Sequence, residues 1–517
     1  MVGHGLSQKK EDAMMLRLGL LIGALGMGLL SSGAAAEAPV SDATQQCVDC
    51  HSAFHPGIVH DWKKSRHAVV TPKQAAAVTG LARKITNPSI ADALQTTVVG
   101  CAECHTMRPE AHADTFEHNG FDVHVVVSPD DCATCHLEER QQYSGNIMAL
   151  ARKNLDENPV YEKLQQAVIG VPEAKDGRVA FALPDELTRA DACNYCHGTR
   201  LEVTGRVTRD TDVGELEFPV IKGWPNQGSG RLNPDGSSGA CTACHPRHGF
   251  SMAMARKPYT CMECHAGPDV PAYKVYSVSK HGNIFSSSQS NWNFSTVPWA
   301  VGLDFTAPTC AACHMSLLVG ADGEVINRRS HKISDRLSWR IFGLIYAHPQ
   351  PKDPDTTMIR NRAGLSLPTD FDGTPAGAFL IDAATQAQRR DTMTATCRAC
   401  HDASWVAGHF QRLDHAIATS NATVRTGTAI METIWKQGLA YGLGQDASPF
   451  DEAIERKWTD VWLFYANHVR YSAAMAGGGD MGVFENGRYH LAKTVVDMQD
   501  WRNLRTMARV SDAGKKK

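Results

Sequence analysis

Apolar residues recur at three- and four-residue spacing over three stretches late in the chain, Ala429 to Leu439, Ile454 to Ala474 and Leu491 to Met507, with a break at Gly477, Gly478 and Gly479. That period predicts long helices with one buried face. Earlier the signal is weaker. Short helical patches fall at Ala75 to Arg83 and Tyr161 to Val168, and the span from Pro184 to Met315 reads as mostly irregular chain. Its Gly/Pro-rich passage from Gly205 to Gly239 would argue against a compact core in an ordinary globule. At the start, Lys9, Lys10 and Arg17 precede an apolar run from Leu18 to Leu30, and Ala34, Ala35 and Ala36 follow it. This predicts a secretory signal over residues 1–36. The run is shorter than the ~20 residues that span a bilayer, so an uncleaved anchor is the weaker reading. A compact leader would begin at Met14 or Met15.

What could hold so irregular a chain together is visible in the cysteines. All 16 fall in the pattern Cys-x-x-Cys-His, which occurs eight times: Cys47, Cys50 and His51; Cys101, Cys104 and His105; Cys132, Cys135 and His136; Cys193, Cys196 and His197; Cys241, Cys244 and His245; Cys261, Cys264 and His265; Cys310, Cys313 and His314; Cys397, Cys400 and His401. In this pattern two thiols form thioethers to porphyrin vinyl groups and the adjacent His becomes the proximal iron ligand. Zinc ribbons or a disulfide framework would not need His after the second Cys eight times. Eight covalent c-type haems are expected, and no other metal. Their flat macrocycles supply apolar contact area, which makes the irregular passages tolerable. Attachment of such haems takes place outside the cytoplasm, so a periplasmic or otherwise exported protein, soluble after signal cleavage, is expected.

The fold expected is mainly α with extensive irregular loops, packed around the haems. Its divisions are the signal at 1–36, a haem-rich region with haems one to seven at 37–383, and the eighth haem with the long helices at 384–517. The polypeptide is nearly neutral, at net −3, with no basic run to suggest nucleic acid. Haem propionates make the loaded protein more acidic, which suits a small basic cytochrome as redox partner.

Of 23 histidines, eight are proximal and His4 lies in the leader, leaving 14 for sixth-ligand positions. The best distal candidates are His67, His118, His124, His248, His281, His331 and His409, one fewer than the haems. His55, His60, His112, His348, His415, His468 and His490 remain in reserve. If the shortfall is real, one haem has an open face for a small molecule; if not, the chain is a wire of low-spin carriers.

The strings between the motifs are more specific. CNYCHGTRLEV, FPVIKGWPNQGSGRLNPDGS, CTACHPRHGFSMAMARKP, CMECHAGPD and YSVSKHG together resemble the octahaem hydroxylamine oxidoreductase family, over about Cys47 to Trp501. The resemblance implies a homotrimer, haems stacked in parallel and perpendicular pairs, and catalysis at a five-coordinate fourth haem, here the one on Cys193, Cys196 and His197. In the family's oxidising members that haem is crosslinked to a tyrosine of the neighbouring subunit. Members without the crosslink tend to reduce nitrite or hydroxylamine.

Two departures bear on direction. Oxidising members usually read Gly-Pro-Asp-His after the sixth motif; this chain has Gly267, Pro268, Asp269 and Val270. Asp269 can still move a proton, but the neighbouring imidazole is gone; its bland role would be to cap the turn after Pro268. Where the family pattern places the crosslinking tyrosine, just after an aspartate, this chain has Met481, with Tyr471 and Tyr489 nearby. Tyr346 and His348 are further candidates for the pocket, though a core Tyr and a propionate-contacting His are the simpler readings.

The sequence is therefore read as an exported octahaem cytochrome acting on a small nitrogen compound at its fourth haem, with Asp269 handling protons. The reductive direction, nitrite toward hydroxylamine or ammonia, is favoured over oxidation of hydroxylamine or hydrazine. A non-catalytic electron-transfer subunit is the rival from another class. An octahaem tetrathionate reductase is a weaker enzymatic alternative, since it needs a lysine on the active iron.

Overall fold

The long helices form where the pattern places them and build the main hydrophobic core. The computed structural model describes residues 38–175, 177–442 and 448–515, so the signal expected over 1–36 lies outside the described residues. Helix Ala403–Lys436 begins at Asp402, whose carboxylate accepts the Ser404 and Trp405 N–H groups. It runs beyond the stretch its apolar period marks, burying Val406, Ile417, Val424, Met431 and Ile434 along one face. Gly438, at φ +61°, follows its end in the left-handed conformation that stops a helix. Helices Ala453–Thr459 and Ala466–Ala474 continue each other through one wide turn at Asp460–Tyr465. Trp458 and Trp462 from this segment fill the space against Val424, Met431 and Ile434. Helix Arg488–Lys515 closes the layer through Leu491 and Met498.

The earlier part is a succession of short helices, hairpins and loops, as its weak periodicity implies. Tyr161 to Val168 lies within helix Pro159–Ile169, which lends Leu164 and Ala167 to the main core. A second, smaller core surrounds the seventh Cys-x-x-Cys-His motif and is mostly aromatic, with Phe285, Phe294, Trp299 and Phe305; the rings of the last two stand 4.1 Å apart. From Val40 onward the chain packs as one unit. Among the described residues, no helix is long and apolar enough to cross a membrane.

The expectation of irregular chain fails over one stretch. Glu202–Thr211 and Gly214–Lys222 pair as a long antiparallel hairpin, turning at Asp212 and Val213 with Gly214 at φ +107°. Alternation explains it. Val207 opposes Phe218 and Arg209 opposes Leu216, so one face carries the apolar side chains. The Phe218 ring lies 5.7 Å from Phe116, anchoring the hairpin to a smaller one at Thr115–His118 and Phe121–His124. Gly205, Gly214 and Pro219 lie within the hairpin itself, and the remaining glycines and prolines that suggested irregular chain belong to the following segment, from Gly223 on.

Candidate functional site

Each attachment motif winds through about one helical turn. The N–H of His136, His245, His265 and His401 donates to the carbonyl of the first Cys of its own motif, at 2.9, 3.0, 2.8 and 3.0 Å. Residues three and four apart thereby share one side, which brings two thiols and an imidazole toward one space. None of the sixteen cysteines is in a disulfide. All their sulfurs are available for thioether bonds.

The imidazoles provide a sharper test of fit. Two rings on opposite faces of one metal ion, each bonded at about 2 Å, must have centres roughly 6 Å apart. His51 and His118 stand at 6.2 Å, His67 and His136 at 6.3 Å, His105 and His248 at 6.5 Å, and His281 and His401 at 6.2 Å. His331 lies within electrostatic range of His245. Burial pushes His67, His245, His248, His314 and His331 down to about 4, so each presents a neutral lone pair at neutral pH. Backbone carbonyls fix the tautomer at three proximal positions: Nδ1 of His105, His136 and His197 donates to His124, Lys84 and Ala151, at 2.8, 3.2 and 3.2 Å. Nε2 is left to face the metal. The residues present fit covalent haem.

Two distal candidates sit differently. His124 is 6.0 Å from His105, but its ring nitrogens face the carbonyls of Met107 and Val126, at 2.9 and 3.2 Å, and it stacks on His112 at 3.7 Å. Burial alone would lower the His112 pKa, yet hydrogen bonds to Asp114 and Asp131 hold it at about 9, as an imidazolium inside a charge network. His409 stacks on Trp405 at 5.6 Å, and Trp405 stacks in turn on His401 at 4.0 Å. Among the described residues, the rings of His197, His265 and His314 make no contact with another imidazole, though His265 lies within electrostatic range of the other two.

Of these three, His197 has the most elaborate polar surroundings. Its motif is locked by glycines: Gly198 has φ +98°, and a Cβ there would meet the Arg231 nitrogen at 2.3 Å, while one on Gly228 would meet the Gly198 nitrogen at 2.2 Å. The passage from Trp224 to Ser237 is thus a strap drawn tight against the fourth motif. Asp269 and Arg340 lie within electrostatic range of His197. Asn467 Nδ2 donates to the Asp269 carbonyl at 2.9 Å. Tyr161 hydrogen-bonds Arg340, and burial raises its pKa, with Asp269 adding to the rise. Tyr471 is raised by burial and stands near Arg340, Asp269 and Arg470. Arg340 and Tyr161 carry no sequence mark; only the fold brings them here. Tyr346 is buried in the main core with its hydroxyl donating to Phe371 O at 2.6 Å, and His348 is buried opposite Arg340 in the short ladder Trp339–Arg340 with His348–Pro349. Met481 is buried, whereas Tyr489 is 53% exposed.

Sulfur proximities show how the motifs adjoin. Cys47 neighbours Cys101, Cys104 neighbours Cys135, Cys132 meets Cys241, Cys244 neighbours Cys261, Cys261 meets Cys310, and Cys313 neighbours Cys397 and Cys400. The fourth motif joins this line through the sixth, where Cys196 meets Cys264. Among the described residues it is a spur.

A solved structure described as a hypothetical multiheme protein matches 94% of this chain and 100% of its own, at 38% identity and a TM-score of 0.85. A probable nitrite reductase-hydroxylamine oxidoreductase fusion protein of Kuenenia stuttgartiensis is 26% identical over 394 residues. The chain belongs to the hydroxylamine oxidoreductase family of multihaem c-type cytochromes. The match to the fusion protein covers 67% of this chain and 42% of that protein, so the chain spans under half the length of its curated relative. Residues 235–342 match the family model described as a seven-times multi-haem cytochrome CxxCH. The hydroxylamine oxidoreductase fold is seen again in the Kuenenia stuttgartiensis reducing HAO-like protein complex, at 18% identity and a TM-score of 0.61 over 91% of this chain and 87% of that one. The kinship supports covalent c-type haem in this chain.

Proposed function

We propose that this cytochrome carries eight c-type haems and reduces nitrite to hydroxylamine or ammonia at the haem held by Cys193, Cys196 and His197. The observation that carries the reading is the surroundings of His197. Its ring makes no contact with another imidazole among the described residues, and Asp269 and Arg340 lie within its electrostatic range, with Tyr161 and Tyr471 beside those two. When bound, that haem supplies an open coordination position and electrons. The chain's own residues supply everything else. Reduction of nitrite to hydroxylamine takes up four electrons and five protons and releases one water, so a proton carrier at the site is obligatory. Asp269 is that carrier, its backbone held by Asn467 and its carboxylate in no hydrogen bond or ion pair among the described residues. Tyr161 and Tyr471, whose raised pKa values keep them protonated, add hydrogen bonds to the oxygens that are lost.

The absence of a tyrosine at Met481 supports the reductive direction, as does Val270 beside Asp269. Export, assembly as a homotrimer and delivery of electrons by a small basic cytochrome complete the proposal. The test is the ferric spectrum with and without nitric oxide or cyanide, followed by turnover of nitrite with a low-potential donor. A response from one haem and consumption of nitrite are expected. Eight unresponsive haems would leave an electron conduit. A covalent oligomer on a denaturing gel, joining the Cys193 peptide to Tyr489 or Tyr471, would favour oxidation of hydroxylamine or hydrazine.

A further inference from the structure

Two guanidinium groups near the fourth motif form no ion pair among the described residues. Arg470 is fully buried, and its hydrogen bonds go to neutral oxygens only: Ser420 Oγ at 3.0 Å, the Ile341 carbonyl at 3.3 Å, Asn467 Oδ1 at 3.1 Å and Asn421 Oδ1 at 2.7 Å. A buried charge without a counter-ion is costly, and it is retained where its field is used. That field reaches the site through Asn467, which accepts from Arg470 and donates to the Asp269 carbonyl at 2.9 Å. Arg340 is the second. It is held on the ladder opposite His348, with its guanidinium 5.6 Å from the Phe342 ring centre and bonded to the Tyr161 phenol. Among the described residues it forms no ion pair. Its planar fork can therefore donate to two oxygens of an incoming anion.

We propose that Arg340 is the anion-recognising residue of the fourth-motif site, donating to the oxygens of nitrite while Arg470 biases the pocket positive from behind, so that the site selects a nitrogen oxyanion over neutral nitrogen compounds. This rests on the reading that substrate binds at the haem of His197. Nitrite and nitric oxide separate the two ideas, because both are ligands for open ferric haem and only nitrite is an anion.

The experiment titrates the haem-loaded wild-type protein, Arg340→Gln and Arg340→Lys with nitrite and with nitric oxide, following the haem absorption. Losing a charge-assisted pair of hydrogen bonds should weaken nitrite about ten- to a hundredfold in R340Q. Nitric oxide affinity should stay within about threefold, and R340K, which keeps the charge but not the fork, should recover part of the nitrite affinity. Equal weakening of both ligands, or no weakening of nitrite, overturns the role of Arg340 while leaving the site in place. A wild-type protein that binds neither ligand overturns the site reading and this one with it. Should R340Q lack its full haem complement, R340K decides: nitrite weakened several-fold with nitric oxide unchanged supports the role, and unchanged nitrite affinity rejects it.

Discussion

Asp269 shows how much a single position carries when its neighbours are lost. With Val270 beside it, no second titratable group follows on the same turn, and under the proposed function proton delivery would rest chiefly on this carboxylate, its backbone held through Asn467. Asp269→Asn should therefore lower the turnover number for nitrite by about a hundredfold or more, with nitric oxide affinity unchanged. Steady-state kinetics beside a ligand titration separates that result from a simple loss of binding. The candidate residues differ in how visible they are before folding. Cys-x-x-Cys-His can be read directly because thioether and axial bonding to one ring demand a fixed local spacing. Distal ligands come from any distance along the chain, so His248 and His124 were indistinguishable in sequence. Only the carbonyls of Met107 and Val126 beside the His124 ring set them apart. Arg340 and Tyr161 had no motif at all, since their roles arise from where a two-residue ladder and a helix face meet.

Among elements, the C-terminal helices are tied by a buried carboxylate. Glu455 accepts the Trp435 indole N–H at 2.8 Å and the Gly442 and Glu452 backbone N–H groups, each at 3.1 Å, and burial raises its pKa to about 7. A carboxyl whose folded pKa lies above its unfolded value of about 4.5 stabilises the fold fully below that lower value. The contribution is lost as pH rises toward 7. Thermal unfolding followed from pH 4.5 to 8 should show this decline in the wild type, and Glu455→Gln should be less stable at low pH but flat across the window. The helices themselves were legible because period 3.6 persists over many turns. The Glu202–Lys222 hairpin was missed because its glycine-rich neighbourhood masked a period-two alternation, and because a mostly exposed hairpin has a thin apolar face. Its signal was the row Val207, Leu216, Phe218.

For the whole molecule, the arrangement of motifs was beyond sequence reading. Motif order along the chain runs from one to eight, but the contact order skips the fourth, which the strap from Trp224 to Ser237 packs against and which meets the sixth through Cys196 and Cys264. Replacing both Cys261 and Cys264 by Ala removes the covalent anchorage of the haem between spur and line. Rapid-mixing reduction should then proceed normally for the haems on the donor's side of the gap and at least tenfold more slowly for the one on Cys193 and Cys196. Uniform slowing, or none, would show that electrons reach it by another route.

Under the proposed function, the spur has a consequence for what leaves the site. A centre placed in the middle of a line is refilled from both sides but also drained by through traffic, whereas a terminus is only filled. Loaded in advance, the remaining carriers act as a reservoir with a single outlet. Under the proposed reaction, a nitrite molecule arriving at the terminus would meet a queue of electrons and would not be released half-converted while the next one is awaited. Escape of nitric oxide should therefore depend on how full the reservoir is at the moment of binding, and hardly at all on the supply of fresh donor afterwards.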